Sequence, residues 1–359
     1  MSETREITAN IKAQMTERID RAFDAWDNRS DLLEFKINRL VLPLGDVEPL
    51  LWLANQKAEC KMFWSGRDDD IEIAGVGIAD LMAGSFRDHP NTLIENCRKY
   101  LDENPSLRYF GGFAFQEESN ADPSWQKFGA SRFHVPRFEV VRTGGVSSFI
   151  CNIIFKRNLS IDKQELLEEL NTLELEKLQD ESCKPTVVKR SNLPDEMTWS
   201  GNVLSALNMM EHELLEKVVL ARRVDLQCTD TVNPVTLLRD LSKTTHDVYH
   251  FCLQPQEGSA FIGATPERLI QRKDKWAYSE AVAGTRPRGN TPENDDVLAQ
   301  QLLTSRKDHL EHDIVRKSIR QRMHLLCDNV QVDESARLLR LSTKQHLFSA
   351  LQGRIRKGV

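Results

Sequence analysis

The sequence predicts an α+β fold with sizeable antiparallel sheets, and two observations carry that expectation. Between residues 31 and 155 short β-rich runs follow one another: FKINRLVLP, AECKMFW, IEIAGVGIA, RYFGGFAF, FHVPRFEVVR and SSFICNIIF. Gly, Pro, Asn and Asp turn signals part them, as in antiparallel strands. Helical and strand-like stretches then mix without the regular βαβ alternation of a parallel sheet. With 359 residues the chain is long enough for two domains or one large unit with a substantial core.

Residues 4–27 read as a helix ahead of the strand-rich part. In segment 160–181, Leu166, Leu170 and Leu173 keep helical spacing while eight acidic residues stand against two lysines, the pattern of a solvated helix face. Residues 182–194 hold two prolines and few apolar residues, so they read as a connector between an N-terminal β-rich region (1–190) and a second domain (191–359). That second part predicts a helix over about 196–215, a strand over 217–227 and a helix over about 233–244. Strands follow at 247–254, 259–263, 267–272 and 276–282, then a Gly/Pro-rich loop, AGTRPRGNTPEND, and helical sequence from about 295 to 327.

Composition excludes several classes. Forty-eight basic against fifty-four acidic residues give a net charge of −6, no electrostatic reason for a nucleic-acid or anionic-membrane partner. The basic cluster Arg354, Arg356, Lys357 does not change that, because no nucleic-acid motif accompanies it. Seven cysteines at long gaps, none spaced C-x-x-C, fit free thiols in a reducing compartment. The first residues are charged where a signal peptide needs an apolar run, and no stretch reaches the ~20 apolar residues of a membrane span. A cytoplasmic protein is expected.

Several segments carry candidate chemistry, each with an ordinary structural reading beside it. GVGIAD (75–80) has Asp80 where a dinucleotide fingerprint needs its third glycine, so a strand bend is expected. In RYFGGFAF, Gly111 and Gly112 permit a bulge or close packing. KDHLEHD (307–313) gathers His309, Glu311, His312 and Asp313 near a helix start without a zinc-protease pattern; an inward Glu would give one hard oxygen ligand suited to Mg²⁺. Lys217 opens the apolar run KVVLARR, where desolvation would make it a usable base; a lysine snorkelling at a strand end is the plainer alternative. Glu267, after Pro266 in GATPERL, is either a general acid or an ordinary salt-bridged side chain at a strand start. AVAGTRPRG (281–289) is a small-residue turn ending in two arginines, whose N–H groups and Thr285 can cradle an anionic oxygen.

Order decides among these readings. KVVLAR, GATPERL, SEAVAGTRPRG, SRKDHLEHDIV and LSTKQHLFS stand in the order and spacing of the chorismate-utilising enzymes. The chain resembles that family strongly over about 195–359, and its isochorismate synthases in particular. WSGRDDDIEIAGVGIA and RYFGGFAF extend the likeness upstream. The resemblance implies a large antiparallel-sheet sandwich with flanking helices, Mg²⁺ as cofactor, chorismate as substrate and a monomer. Lys217 matches the base that activates water for attack at C2, and Glu267 the acid that protonates the departing C4 hydroxyl. Gly284 and Thr285 match the turn that receives a substrate carboxylate, Glu311 a Mg²⁺ carboxylate, and His346 a histidine close to the ring substituents.

The likeness also weighs sibling activities. Ammonia-using anthranilate synthases carry Gln at the position of Lys217, and aminodeoxychorismate synthases usually carry a nucleophilic lysine at that of Ala283. Lys217 with Ala283 therefore points to water as nucleophile. Salicylate synthases share both features and go on to eliminate pyruvate, which keeps them as the alternative; an inactive chorismate-binding fragment is another. In the family the pattern continues past the equivalent of QHLFSALQGRIRKGV through segments like H-P-T-P-A-V-G-G and R-G-x-Y-A-G. The expectation is accordingly that the last strands and a second Mg²⁺ carboxylate are missing, and that this chain alone turns over little chorismate.

Overall fold

The computed structural model describes residues 3–29, 33–67, 71–85, 89–115, 123–175 and 185–358. Asp68–Asp70 of the WSGRDDD run, the end of the acidic segment at 176–181, Cys183 and the first residues of the expected connector lie outside them. The elements are α1 (Glu3–Asp27), β1 (Phe35–Gly45), α2 (Pro49–Ala54), β2 (Lys61–Ser65), β3 (Ile71–Val76), β4 (Asp80–Gly84), α3 (Pro90–Glu103), β5 (Phe110–Phe113), β6 (Ser131–Val135), β7 (Phe138–Thr143), β8 (Val146–Lys156) and α4 (Lys163–Thr172). Then come β9 (Val187–Leu193), α5 (Glu196–Glu211), β10 (Arg223–Cys228), α6 (Pro234–Ser242), β11 (Tyr249–Gln256), β12 (Ser259–Thr265) and β13 (Gln271–Lys273). The last elements are β14 (Trp276–Pro287), α7 (Pro292–Thr304), α8 (Arg306–Leu326), β15 (Cys327–Val332), β16 (Arg337–Arg340) and β17 (Lys344–Ile355). The α+β class with large antiparallel sheets is what the strand-rich runs led us to expect.

Two compact units form, the first from Met1–Ser182, Asn233–Ser242 and Tyr249–Ala264, the second from Cys183–Val232, Lys243–Val248 and Thr265–Val359. In the first, a seven-stranded sheet runs β1-β8-β7-β3-β2-β11-β12. Its core shows why α1 is a helix: Ile11, Met15, Ile19, Phe23 and Trp26 recur every three to four residues and are all buried. Phe23 meets Phe155 edge-on at 4.9 Å, and Trp26 stacks on the same ring at 5.2 Å. GVGIAD is the expected bend: β3 ends at Val76, Gly77 turns at φ +68° and β4 begins at Asp80. At Gly111 a Cβ would lie 1.8 Å from the Arg132 carbonyl oxygen, so β5 reaches β6 only through glycine.

Several expectations need correction. The β-rich stretch also holds helices α2 and α3, because Pro49 and Pro90 sit at first-turn positions where their lost N–H costs nothing. The expected connector contains β9, which pairs with β10 antiparallel, so its polar residues line a solvent-facing ribbon. The strand expected from Lys217 starts only at Arg223, and that expected from Glu267 only at Gln271. The AGTRP segment is no loop: β14 continues through Pro287, held by β17. Helical sequence near 295–327 breaks into α7 and α8 at Ser305, whose hydroxyl caps α8 by accepting from the Asp308 N–H at 3.2 Å.

The second unit has a sheet β13-β14-β17-β15, with β16 also on β17, and α7 and α8 pack on it. Its core is small: Ala277, Ala281, Met323, Cys327 and Leu351. α5 contributes no buried side chain, and Leu204 and Leu226 are more than half exposed.

One ion pair in the first unit is fully withdrawn from water. Arg39 on β1 donates to both oxygens of Glu139 on β7, at 3.1 and 2.8 Å, and to Asn152 Oδ1 on β8 at 2.8 Å. Asn152 Nδ2 closes the network on Glu139 at 2.6 Å, stitching three neighbouring strands. Replacing one partner strands the other charge in the interior. Arg39→Leu is expected to cost roughly 3–5 kcal/mol in urea unfolding, and Arg39→Leu with Glu139→Leu to recover most of it.

Candidate functional site

All six residues matched through the family resemblance lie in the second unit. Lys217 stands in the irregular segment between α5 and β10, about three-quarters buried, with Nζ 3.2 Å from Glu311 Oε1. Glu311 projects from the second turn of α8 and is partly exposed. Glu267 lies in the turn between β12 and β13, where its N–H donates to Thr265 Oγ1 at 3.2 Å. Burial pushes the Glu267 carboxyl above its ordinary range, the Glu280 carboxylate pushes the same way, and the Lys217 ammonium opposes both. Lys217 thus interacts electrostatically with both Glu267 and Glu311.

The small-residue turn is a bulge in β14. Register against β17 slips between Ala283 and Thr285, and Gly284 takes φ +74°. A Cβ there would approach Asp308 Cβ to 3.1 Å, so α8 comes close to the bulge because the residue is glycine. Thr285 faces His346 across the strand pair, Oγ1 to Nδ1 at 3.0 Å. Burial holds the His346 imidazole below its ordinary value, against a hydrogen bond to the Gly284 backbone, which favours the neutral ring at pH 7.

Asp308, one helical turn before Glu311, accepts from Arg286 Nη2 at 2.7 Å, joining the strand after the bulge to the helix that carries Glu311. Farther along, Arg288 donates to both oxygens of Asp295 on α7, at 2.8 and 2.9 Å, and the Gly289 N–H donates to the same carboxylate at 2.8 Å. Those bonds hold the Asp295 carboxyl down to about 2. Arg268, Glu280 and Asp308 were given no role in the sequence, although each stands in a motif quoted above, whereas Arg286 is one of the two arginines that end AVAGTRPRG. Glu280 left a legible trace as an acid inside the otherwise small and apolar run SEAVAG.

The other members of KDHLEHD do not gather around Glu311. His309 Nε2 donates to the Leu303 carbonyl at 2.8 Å, Asp313 pairs with Arg316 at 2.8 Å, and His312 is buried with Nε2 2.9 Å from Ser349 Oγ. Among the described residues no three His, Cys, Asp or Glu side chains converge on a common metal position. Glu311 remains a chemically suitable hard-oxygen ligand, half of what a two-carboxylate Mg²⁺ site uses.

The model of a family described as chorismate binding enzymes matches residues 24–359. The chain belongs to this family. It is 31% identical to isochorismate synthase 2, chloroplastic, of Arabidopsis thaliana, over 99% of this chain and 69% of that protein. It is 32% identical to the chloroplastic isochorismate synthase of Catharanthus roseus, covering 80% of this chain and 51% of that one, and 29% identical to MenF of Escherichia coli, covering 85% and 67%. The chain thus spans between half and about two-thirds of these relatives' length. The structure of MenF, the menaquinone-specific isochorismate synthase of Escherichia coli, superposes with a TM-score of 0.77 at 23% identity, covering 96% of this chain and 77% of that one. A putative 2,3-dihydroxybenzoate-specific isochorismate synthase, DhbC from Bacillus anthracis, superposes at 0.62 and 21% identity over 86% and 71%. These likenesses fix the fold.

Two outcomes test the site's architecture. Gly284→Ala is expected to lose about 1–2 kcal/mol from its left-handed backbone alone, read by denaturant unfolding, and to disturb the Thr285–His346 contact in the histidine NMR signals. A carboxyl depressed below its unfolded value near ~3.9 stabilises the fold above that pH and ceases to do so as pH falls through its folded value. For Asp295, held at about 2, wild type should be more stable than Asp295→Asn at pH 6, with the gap closing between pH ~4 and 2 in urea unfolding.

Proposed function

We propose that this chain is an isochorismate synthase, adding water at C2 of chorismate and expelling the C4 hydroxyl. One observation carries the reading: Lys217 and a carboxyl favoured in its acid form, Glu267, are electrostatic neighbours in a member of the chorismate-binding family.

In the proposed reaction the neutral amine of Lys217 removes a proton from water as oxygen attacks C2. Glu267 gives its proton to the departing hydroxyl, which leaves as a second water, so one water enters and one departs. Protonation matters because free hydroxide is a poor leaving group, and each proton transfer is worth ~10²–10⁴-fold. The Gly284 bulge and Thr285 receive a substrate carboxylate, and neutral His346 stands beside the ring substituents. Glu311 would hold a Mg²⁺ ion, which would supply positive charge to neutralise an anionic substrate group. The six described cysteines are free, in keeping with a reducing, cytoplasm-like setting, and the reading carries a monomer.

Product analysis of the purified chain with chorismate and Mg²⁺ tests the proposal. Isochorismate, in small amount and lost on chelation with EDTA, is the expected product; salicylate with pyruvate, or chorismate bound without any conversion, would overturn it. Lys217→Ala and Glu267→Gln should each lower kcat by roughly 10²-fold or more with little change in KM. Lys217→Gln should abolish isochorismate formation while chorismate still binds. A variant within a few-fold of wild type removes its residue from the mechanism.

A further inference from the structure

Beneath the turn that carries Glu267 lies a second acid for which the proposed chemistry has no use. Glu280 sits on β14 with its side chain 2% exposed, and its Oε1 accepts from Arg268 Nη2 at 2.5 Å. Arg268 is the residue after Glu267, and its other terminal nitrogen donates to Gln271 Oε1 at 2.9 Å. Next along the turn, the Leu269 carbonyl accepts from Ser279 Oγ at 2.8 Å, so two adjacent β14 side chains grip the two residues that follow Glu267. Burying an ionised acid is costly without a partner, and an apolar residue at 280 would serve packing as well. The geometry requires another reason for the charge.

Its place supplies one. A carboxylate beside a second carboxyl group disfavours ionisation of the pair, and whichever acid has a cationic partner stays ionised while the other takes the proton. Arg268 is turned to Glu280, not to Glu267. From the remaining elements the charge of Lys217 opposes the effect, and Lys217 itself pairs with Glu311 at 3.2 Å. We propose that Glu280, held by Arg268, is a positioning residue that fixes the turn presenting Glu267 and disfavours ionisation of the Glu267 carboxyl. The catalytic meaning of this rests on the isochorismate synthase reading; the coupling of the two acids does not.

The test is therefore a titration that needs no turnover. The 359-residue chain, labelled with ¹³C at glutamate Cδ, is followed by NMR across the acid range, with the Glu267 signal assigned by its loss in Glu267→Gln. In Glu280→Gln, which keeps the size and a hydrogen bond to Arg268, the Glu267 midpoint should move to lower pH. In Arg268→Gln the two acids should titrate as a coupled pair in two steps. An unchanged Glu267 midpoint in Glu280→Gln, with near-ultraviolet circular dichroism like that of wild type, overturns the proposal. If Glu280→Gln loses the native spectrum, the titration of Arg268→Gln decides: two independent single steps overturn the proposal, and coupled steps support it. Should wild type convert chorismate, the limb of the kcat/KM profile that reports Glu267 should also move to lower pH in Glu280→Gln, which loss of structure alone would not produce. Absence of conversion would count against the functional reading and leave the titration to judge this one.

Discussion

The pairing of β14 with β17 is the constraint on which the second unit depends. It runs from Trp276 opposite Arg354 to Pro287 opposite Lys344, and β13, β15, β16, α7 and α8 all attach to one or other of these two strands. Its one irregularity is also its chemical feature. The slip at Gly284 turns the backbone into the left-handed region, lets α8 approach, and leaves Thr285 opposite His346. A continuous ladder would engage the backbone in regular pairing; a bulge re-aims it. The Arg286–Asp308 pair then ties the re-aimed strand to the helix bearing Glu311.

Charge is distributed around that frame in a consistent way. Arginine–carboxylate pairs hold the surroundings: Arg268–Glu280, Arg286–Asp308 and Arg288–Asp295 each join two segments of the unit. The guanidinium plane suits this task because it meets a carboxylate with fixed geometry. Lysine occupies the one position where the proposed chemistry needs a cation that can give up its proton, which arginine cannot do. Glu267 stands outside these arginine pairs, half-buried, and favours the acid form. The proton-donor role proposed for Glu267 suits a carboxyl that stands outside those pairs.

The two units divide differently between burial and exposure. In the first, α1, α2, α4 and α6 cover the sheet with large apolar and aromatic side chains around Trp52, Phe138 and Phe149. In the second, small residues dominate the buried cluster, and α5 with the β9–β10 ribbon keeps leucines and valines in solvent. Apolar surface of this kind marks a binding face or an aggregation hazard. The residues of the candidate site sit on the unit with the smaller buried cluster.

Local sequence was enough to determine much of this protein. Ile11, Met15 and Ile19 repeat at helical spacing, so α1 was legible; the runs around Phe149 and Ile73 are apolar and β-branched, so their strands were too. The ordered motifs from Lys217 to His346 exposed the family, because catalytic residue types at fixed spacing are written directly in the chain. What the sequence could not settle was where a pattern stops and what lies across from it. Lys217 reads as part of a strand, yet pairing begins only at Arg223, because a ladder needs a partner, and β9 reaches no farther than Leu193. AGTRP reads as a loop from its small residues, yet β17 recruits it as strand. Glu280 and Asp308 look like incidental acids until Arg268 and Arg286 are found beside them, 12 and 22 residues away in sequence. Spacing within a segment is a local property, fixed by backbone geometry; the partner of a buried charge is fixed by which segments fold together, and only tertiary structure decides that.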